Sequence, residues 1–143
     1  IKKHLAITGK FPSAGNSFYL GELHRIIDEH NLHDQISFLG VIPRKDQIQI
    51  MKHAQAVLQP SLFEGWSTVI EDAKSLQVPV IASNLKVNIE QLGDQGLYFE
   101  PHNHNQLAAM LERYPNRNIK NVYYGNYSQR IKRAAEELLM IFQ

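Results

Sequence analysis

The sequence predicts a three-layer α/β domain in which a parallel β-sheet is covered by helices on both faces. Short apolar segments alternate with segments of helical periodicity along most of the chain, and this alternation is typical of parallel sheets with crossover helices. The clearest unit is an apolar segment at residues 56–59, a glycine-containing loop, a helix start and a second apolar segment at residues 79–83. Together these segments predict a βαβ unit.

The remaining elements follow in regular order. Apolar runs predict strands at residues 4–9, 36–39, 56–59, 79–83 and 96–99. Three- and four-residue apolar spacing predicts helices at residues 17–30, 44–53, 67–76, 87–92 and 105–113. Residues 114–125 are polar and irregular, and residues 126–142 have the pattern of a last amphipathic helix. We expect its apolar stripe to pack on its own domain, with a second domain as the alternative partner.

Length and composition restrict the class of protein. A chain of 143 residues fits one domain, and a formal net charge of +1 gives no general attraction to nucleic acid. The absence of cysteine excludes disulfides and thiol nucleophiles, and the pair His102 and His104 lacks a third metal ligand. No apolar run approaches the ~18 residues of a membrane span, so we expect a cytoplasmic protein without a transmembrane segment. The chain begins almost inside a strand without Met, from which we expect a fragment of something longer.

The loop after the third predicted strand is the best candidate for a binding site. Open α/β sheets bind ligands at the carboxyl ends of their strands, and this loop lies at such an end. Free N–H groups of Ser67, Thr68 and Val69 at the following helix start would favour an anion. Because the carboxylates of Glu64 and Asp72 lie on either side, the pattern predicts a ligand with hydroxyls as well as phosphates.

The same segment resembles the signature of family 4 glycosyltransferases. The resemblance is carried by Pro60-Ser61-Leu62-Phe63-Glu64-Gly65-Trp66, followed by Glu71-Asp72-Ala73-Lys74-Ser75-Leu76 and Pro79-Val80-Ile81. It continues in Ile36-Ser37-Phe38-Leu39-Gly40-Val41, in Glu90-Gln91-Leu92-Gly93 and in Tyr98-Phe99-Glu100-Pro101. These enzymes are retaining and have GT-B architecture, with two Rossmann-like domains. The resemblance therefore implies that residues 1–143 form most of the C-terminal, donor-binding domain, without an upstream strand–helix segment and without the acceptor domain.

The resemblance also implies a role for individual residues. Glu64 matches the acid that lies beside the donor sugar and its reacting carbon, so it is the candidate catalytic residue. The candidate donor-binding residues are Gly65, Trp66, Ser67, Thr68, Val69 and Asp72 after the third strand, with Gly9, Lys10, Gly40, Val41 and Ile42 after the first two. No metal and no cofactor are implied, since helix dipoles and cationic side chains stabilise the departing diphosphate. The family's diphosphate-binding Arg and Lys would lie in the upstream segment.

Three positions of the motif, the second acid, Gly65 and Trp66, each allow two interpretations. The family shows Glu, seven residues, then Glu, but the second position is Asp72 here, with Glu71 one residue early. At ~100° per residue, Glu71 points away from the buried face of its helix and Asp72 lies on the flank, so we assign the ribose contact to Asp72. Gly65 suits close backbone approach or positive φ. For the side chain of Trp66 we favour a core position over the wall of a sugar pocket.

The sequence thus predicts the donor-binding part of a hexosyltransferase. The whole enzyme would transfer a sugar from a nucleotide diphosphate sugar to a glycan, lipid or small-molecule acceptor held by the other domain, in the cytoplasm or at a membrane surface. This part of the enzyme would be inactive by itself. Two alternatives stay open: a nucleotide-sugar epimerase of the same architecture, and a flavodoxin-like interaction domain without a ligand.

Overall fold

A computed structural model describes residues 3–11, 18–114 and 123–141, in two compact units that divide after Gln47. The strands are β1 (Leu5–Thr8), β2 (Ile36–Gly40), β3 (Val57–Gln59), β4 (Val80–Ser83) and β5 (Leu97–Phe99). The helices are α1 (Phe18–Glu29), α2 (Arg44–His53), α3 (Thr68–Ser75), α4 (Lys86–Leu92), α5 (His104–Arg113) and α6 (Tyr127–Ile141). Every predicted element is present within about one residue at each described end. The sequence did not predict the 3₁₀ turn at Gly93–Gln95.

The first unit is a parallel strand pair with a helical crossover. β1 and β2 pair in register from Leu5 opposite Ile36, with an irregularity between Ile7 and Thr8. Both strands end in glycines of the left-handed region, at φ 131° for Gly9 and 66° for Gly40, where side chains other than glycine are strained. The N–H of Gly9 donates to the carbonyl oxygen of Gly40 at 2.9 Å. This bond joins the two strand ends, so both loops leave the same end of the pair.

The second unit is built on a three-stranded parallel sheet in the order β3–β4–β5. β4 is the central strand, and all four of its residues are buried. This burial explains its continuous apolar sequence, which is typical of strands covered on both faces. Side chains of a strand alternate between the faces, and Val80 and Ala82 accordingly belong to one core cluster while Ile81 belongs to another.

Helices supply the partner surface on each face. Ile70 and Ala73 of α3 are fully buried against Val80 and Ala82. Leu107 and Met110 of α5 pack in the other cluster, with Ile81, Phe99 and Tyr114. This unit therefore has the predicted three layers, with the loops at the carboxyl ends of β3, β4 and β5 at one end of the sheet.

The packing expected for α6 is wrong. Its start is held, since Arg130 donates to the hydroxyl of Ser75 at 3.3 Å and pairs with Glu71 at 3.6 Å. From Ile131 onward every residue of α6 is exposed, including Leu138 at 56% and Ile141 at 76%. An amphipathic pattern predicts that a helix has an apolar face but does not identify the surface that covers it.

None of the helices in the described ranges has the length and hydropathy needed to cross a bilayer.

Candidate functional site

A carboxylate is held at the carboxyl end of β3, the central feature of the candidate site. Gln59, the last residue of the strand, donates from Nε2 to Oε2 of Glu64 at 2.8 Å. The hydroxyl of Ser61 donates to the same oxygen at 3.1 Å, and Gln59 also donates to that hydroxyl at 3.0 Å. Hydrogen bonds to an ionised acceptor are stronger than neutral ones. These bonds fix the Glu64 side chain, which is also half-buried. Glu64 thus differs from a freely solvated loop acid.

The residues around Glu64 are open to solvent. Phe63 is 89% exposed and Trp66 is 54% exposed, so the core position that we favoured for Trp66 is wrong. The contacts of the core are already made by α3, which leaves a bulky side chain of the preceding loop outside. Gly65 has a negative φ, and a Cβ built on it would meet no atom within 4 Å in the described part of the chain. Its backbone is consequently accessible to a ligand, but the positive φ that we considered is absent.

Ser67 forms the N-cap of α3, as its position predicts. Its hydroxyl accepts from the N–H of Ile70 at 3.4 Å, and its backbone is extended, with φ −82° and ψ 110°. The N–H of Ser67 is not free, since it donates to Oε1 of Gln91 at 2.9 Å. Within the described ranges, the N–H groups of Thr68 and Val69 donate to no other residue. Two of the three predicted N–H groups thus remain for an anion.

The two neighbouring acids of α3, Glu71 and Asp72, have different surroundings. Asp72 is half-buried, in keeping with a flank position. The prediction that Glu71 points away from the buried side of its helix is wrong, because its carboxylate accepts from Nε2 of the buried Gln91 at 3.1 Å and pairs with Lys74 at 3.0 Å and with Arg130 at 3.6 Å. A helical wheel contains only the residues of its own helix, whereas the partners of Glu71 come partly from α4 and α6. The Glu71 carboxylate therefore has partners on three helices.

The other predicted donor-binding residues lie in the first unit. Gly9 and Gly40 are the hydrogen-bonded strand ends described above, and Lys10 and Val41 follow them with exposed side chains, while Ile42 is half-buried. Loops at the carboxyl ends of parallel strands are suitable for ligand contact. That these residues bind the same ligand as Glu64 stays a prediction.

Sequence reasoning missed a set of polar residues that hold the loop between β3 and α3 through hydrogen bonds. They are Gln59 and Ser61, which hold Glu64, together with Ser83 at the end of β4 and Asn88 and Gln91 on α4. Asn88 and Gln91 are buried, and an amide at a buried helix position is a signal that could have indicated them, since buried polar groups need partners. The sequence gives no indication of which partners they have.

The chain matches the sequence model of one protein family. That family is described as "Glycosyl transferases group 1", and the match covers residues 3–138. Among curated proteins, the chain is 30% identical to the O-antigen chain mannosyltransferase B of Escherichia coli over 87 residues, which cover 61% of this chain and 23% of the relative. It is also 30% identical to the glycosyltransferase 1 domain-containing protein 1 of Xenopus tropicalis over 117 residues, which cover 76% and 34%. The chain therefore spans about a quarter to a third of the length of these two relatives.

Solved structures show the same fold. Anabaena Alr3699/HepE, in a complex with UDP, superposes with a TM-score of 0.74 at 24% identity, covering 96% of this chain and 41% of that one. The sucrose-phosphate synthase of Thermosynechococcus elongatus superposes with a TM-score of 0.73 at 20% identity, covering 97% and 38%. The Rossmann-like α/β fold of a GT-B glycosyltransferase half is thereby confirmed. Because the family match extends over nearly the whole chain, the protein belongs to the group 1 glycosyl transferases.

Proposed function

We propose that this chain is the donor-binding part of a retaining family 4 hexosyltransferase. In this proposal the nucleotide diphosphate sugar binds at the carboxyl ends of the strands, and the acceptor hydroxyl is supplied from a further domain. Neither a metal nor another cofactor takes part. Support comes from membership of the glycosyl transferase family and from the arrangement around Glu64.

The position and support of Glu64 carry the proposal. Glu64 lies in the loop that joins β3 to α3, and two donors fix one of its carboxylate oxygens. A carboxylate held in this way is suited to accept hydrogen bonds from sugar hydroxyls and to face the positive charge that develops at the anomeric carbon when the leaving group departs. A fixed group of this kind needs no reorganisation during the reaction, which is the usual basis of electrostatic catalysis.

The N-terminus of α3 supplies the complementary charge. The N–H groups of Thr68 and Val69 have no partner in the part of the chain that the structure describes, and a helix N-terminus carries a partial positive charge. Both features favour a diphosphate. Anabaena Alr3699/HepE, which shares the fold, was solved with UDP-glucose and with UDP, and we extend nucleotide-sugar binding to this chain. The carboxylate of the half-buried Asp72 would accept hydrogen bonds from the ribose hydroxyls.

A proline at Thr68 tests the anion site. Thr68 is the first helical residue of α3, where proline is tolerated because its missing N–H is not needed by the helix. The extended backbone of Ser67 also suits a residue before proline. In the full-length protein, Thr68→Pro should weaken UDP, GDP or ADP binding by about 0.5–1.5 kcal/mol or more, the range for a lost hydrogen bond. Thr68→Ala, which keeps the N–H, is the matched control.

Calorimetric titration and product analysis decide between the alternatives. We expect the wild type and Thr68→Ala to bind one of these nucleotides and Thr68→Pro to bind it more weakly, with an unchanged melting temperature. Equal binding by all three proteins would contradict the anion site, and no binding by any of them would favour the interaction domain. Conversion of a nucleotide sugar to its epimer without transfer to an acceptor would favour the epimerase.

A further inference from the structure

Helix α4 directs two buried amides toward the loop that carries Glu64. Asn88 is 0% exposed and Gln91 is 5% exposed, and residues three apart lie on the same face of a helix. An amide buried without partners is costly. We therefore expect both amides to have hydrogen-bond partners among the residues that face this side of α4.

Gln91 binds both backbone groups of Ser67. Its Oε1 accepts from the N–H of Ser67 at 2.9 Å, and its Nε2 donates to the carbonyl oxygen of Ser67 at 3.0 Å. The same Nε2 donates to the Glu71 carboxylate at 3.1 Å. Since an N–H only donates and a carboxylate only accepts, these partners permit one orientation of the amide. Ser67 is thus held by a side chain that is 24 residues distant in the sequence.

Asn88 supports the other end of the same loop. Its Nδ2 donates to the carbonyl oxygen of Ser83 at 2.9 Å, and the Ser83 hydroxyl donates to the carbonyl oxygen of Ser61 at 2.6 Å. Ser61 in turn donates to Glu64. Both ends of the loop at residues 61–67 are consequently tied to α4, directly or through Ser83. Between them the loop packs little, since Leu62, Phe63 and Trp66 are exposed.

The bond from Ser67 to Gln91 also determines which N–H groups can meet an anion. A free α-helix start presents several unsatisfied N–H groups. Gln91 takes that of Ser67, and the hydroxyl of Ser67 takes that of Ile70. Among the residues that the structure describes, the N–H groups of Thr68 and Val69 are left without an acceptor. Loss of the amide would release the Ser67 N–H and let the loop move with respect to α3.

We propose that Gln91 is a positioning residue of the donor site, which fixes Ser67 so that the Glu64 carboxylate and the N–H groups of Thr68 and Val69 are arranged for the nucleotide sugar. This inference rests on the proposed function. Gln91 touches neither the sugar nor the diphosphate in this arrangement. It acts through the backbone of Ser67, by holding the binding groups in place before the ligand arrives.

A substitution of nearly equal shape tests the role of the two bonds. Gln91→Met keeps the length of the side chain and removes both hydrogen bonds to Ser67. In the full-length protein we expect the Kd for UDP, or for whichever nucleotide the wild type prefers, to rise about tenfold, the equivalent of one to two ordinary hydrogen bonds. Hydrogen exchange at the Ser67 amide should become faster. Gln49→Met is the matched control, because Gln49 is an exposed residue of α2, and it should change neither quantity.

A second variant gives a readout that simple loss of stability would not produce. Gln91→Glu keeps an oxygen for the Ser67 N–H, but the ionised carboxylate cannot donate to the Ser67 carbonyl oxygen and lies beside Glu71, whose own cationic partners are Lys74 and Arg130. Protonation of the introduced carboxyl restores a donor. The ratio of variant to wild-type Kd should therefore fall toward one as the pH is lowered from about 8 to about 5.5, across the range of raised carboxyl pKa values.

The outcomes separate this inference from the proposed function. If the wild type binds a nucleotide and Gln91→Met binds it equally well, the positioning role is refuted while the donor site stands. If Gln91→Met does not fold, a Kd ratio for Gln91→Glu that is independent of pH refutes the role. If neither the wild type nor the variants bind any nucleotide diphosphate, the proposed function fails, and the inference that rests on it fails as well.

Discussion

Replacement of Glu64 by glutamine separates its chemistry from its structural role. The carboxylate accepts two hydrogen bonds at Oε2, from Gln59 at 2.8 Å and from Ser61 at 3.1 Å. Glutamine has nearly the same shape and keeps one acceptor oxygen, so both bonds can persist. What the substitution removes is the negative charge.

The hydrogen bonds and the burial of Glu64 determine how much stability and how much turnover the substitution should lose. A hydrogen bond to a charged group contributes about 1.5–3 kcal/mol and a neutral one about 0.5–1.5 kcal/mol. Two weakened bonds would cost about 2 kcal/mol if they were fully buried, and because Glu64 is half-buried we expect roughly 1 kcal/mol of stability to be lost. The effect on turnover should be larger. Removal of one fixed electrostatic group from an active site typically lowers kcat by about 10²–10³-fold.

The assay compares steady-state turnover with thermal unfolding in the full-length enzyme. Glu64→Gln should lose kcat while its KM for the donor changes little, because a contact of the transition state is removed. Its melting temperature should fall by only a few degrees. Glu90→Gln, at an exposed position of α4, is the control and should behave as the wild type. Normal turnover of Glu64→Gln, or a loss explained entirely by the unfolded fraction, would refute the catalytic assignment.

Three further predictions concern α3 and the core. Asp72→Ala should weaken nucleotide binding by about 1–3 kcal/mol at constant melting temperature. Glu71→Ala should mainly lower the melting temperature, because its partners on α4 and α6 lose their acceptor. Calorimetry and thermal unfolding measure the two effects, and the reverse pattern would refute the assignment of the ribose contact to Asp72. Ile70→Ala, at a position of 0% exposure, should cost about 2–5 kcal/mol in urea unfolding, and a cost below about 1 kcal/mol would contradict the described packing. Burial raises the pKa of Tyr124 from 10.0 to about 12, so its neutral form stabilises the fold fully below pH 10 and this contribution is lost as the pH rises through 12. Tyr124→Phe should flatten the dependence of the free energy of unfolding on pH between about 10 and 12. An unchanged slope in this range would contradict the raised pKa of Tyr124.

Much of the fold was predictable because its signals are local. The apolar run of β4, the cap at Ser67 and the buried face of α3 around Ile70 and Ala73 are each encoded within a few neighbouring residues. The predicted boundaries of α2, Arg44–His53, agree with the structure for the same reason. Glu64 could also be selected from the sequence, although only resemblance to a family gave it more than the role of a surface acid.

The residues that sequence reasoning misplaced depend on distant contacts. Trp66 is as suitable for a core as for a surface, and nothing next to it shows that α3 already fills the space. Glu71 was assigned to the open side of its helix because the residues that face it, Gln91 and Arg130, come from later elements. The exposure of α6 was unpredictable in the same way, since the apolar stripe around Leu138 gives no information about its partner.

The carboxylate of Glu71 joins three helices, and this has a consequence for the additivity of mutations. It accepts from Gln91 of α4 at 3.1 Å, pairs with Lys74 of its own helix, and lies 3.6 Å from Arg130 at the start of α6. Groups that share one partner do not contribute independently, and interaction energies of about 0.5–3 kcal/mol are usual in such networks. In a double-mutant cycle, the effects of substitutions at Gln91 and Arg130 should therefore not sum, although neither residue touches the other through any bond described above. We therefore expect the start of α6 and the backbone of Ser67 to be energetically coupled through the side chains of Glu71 and Gln91.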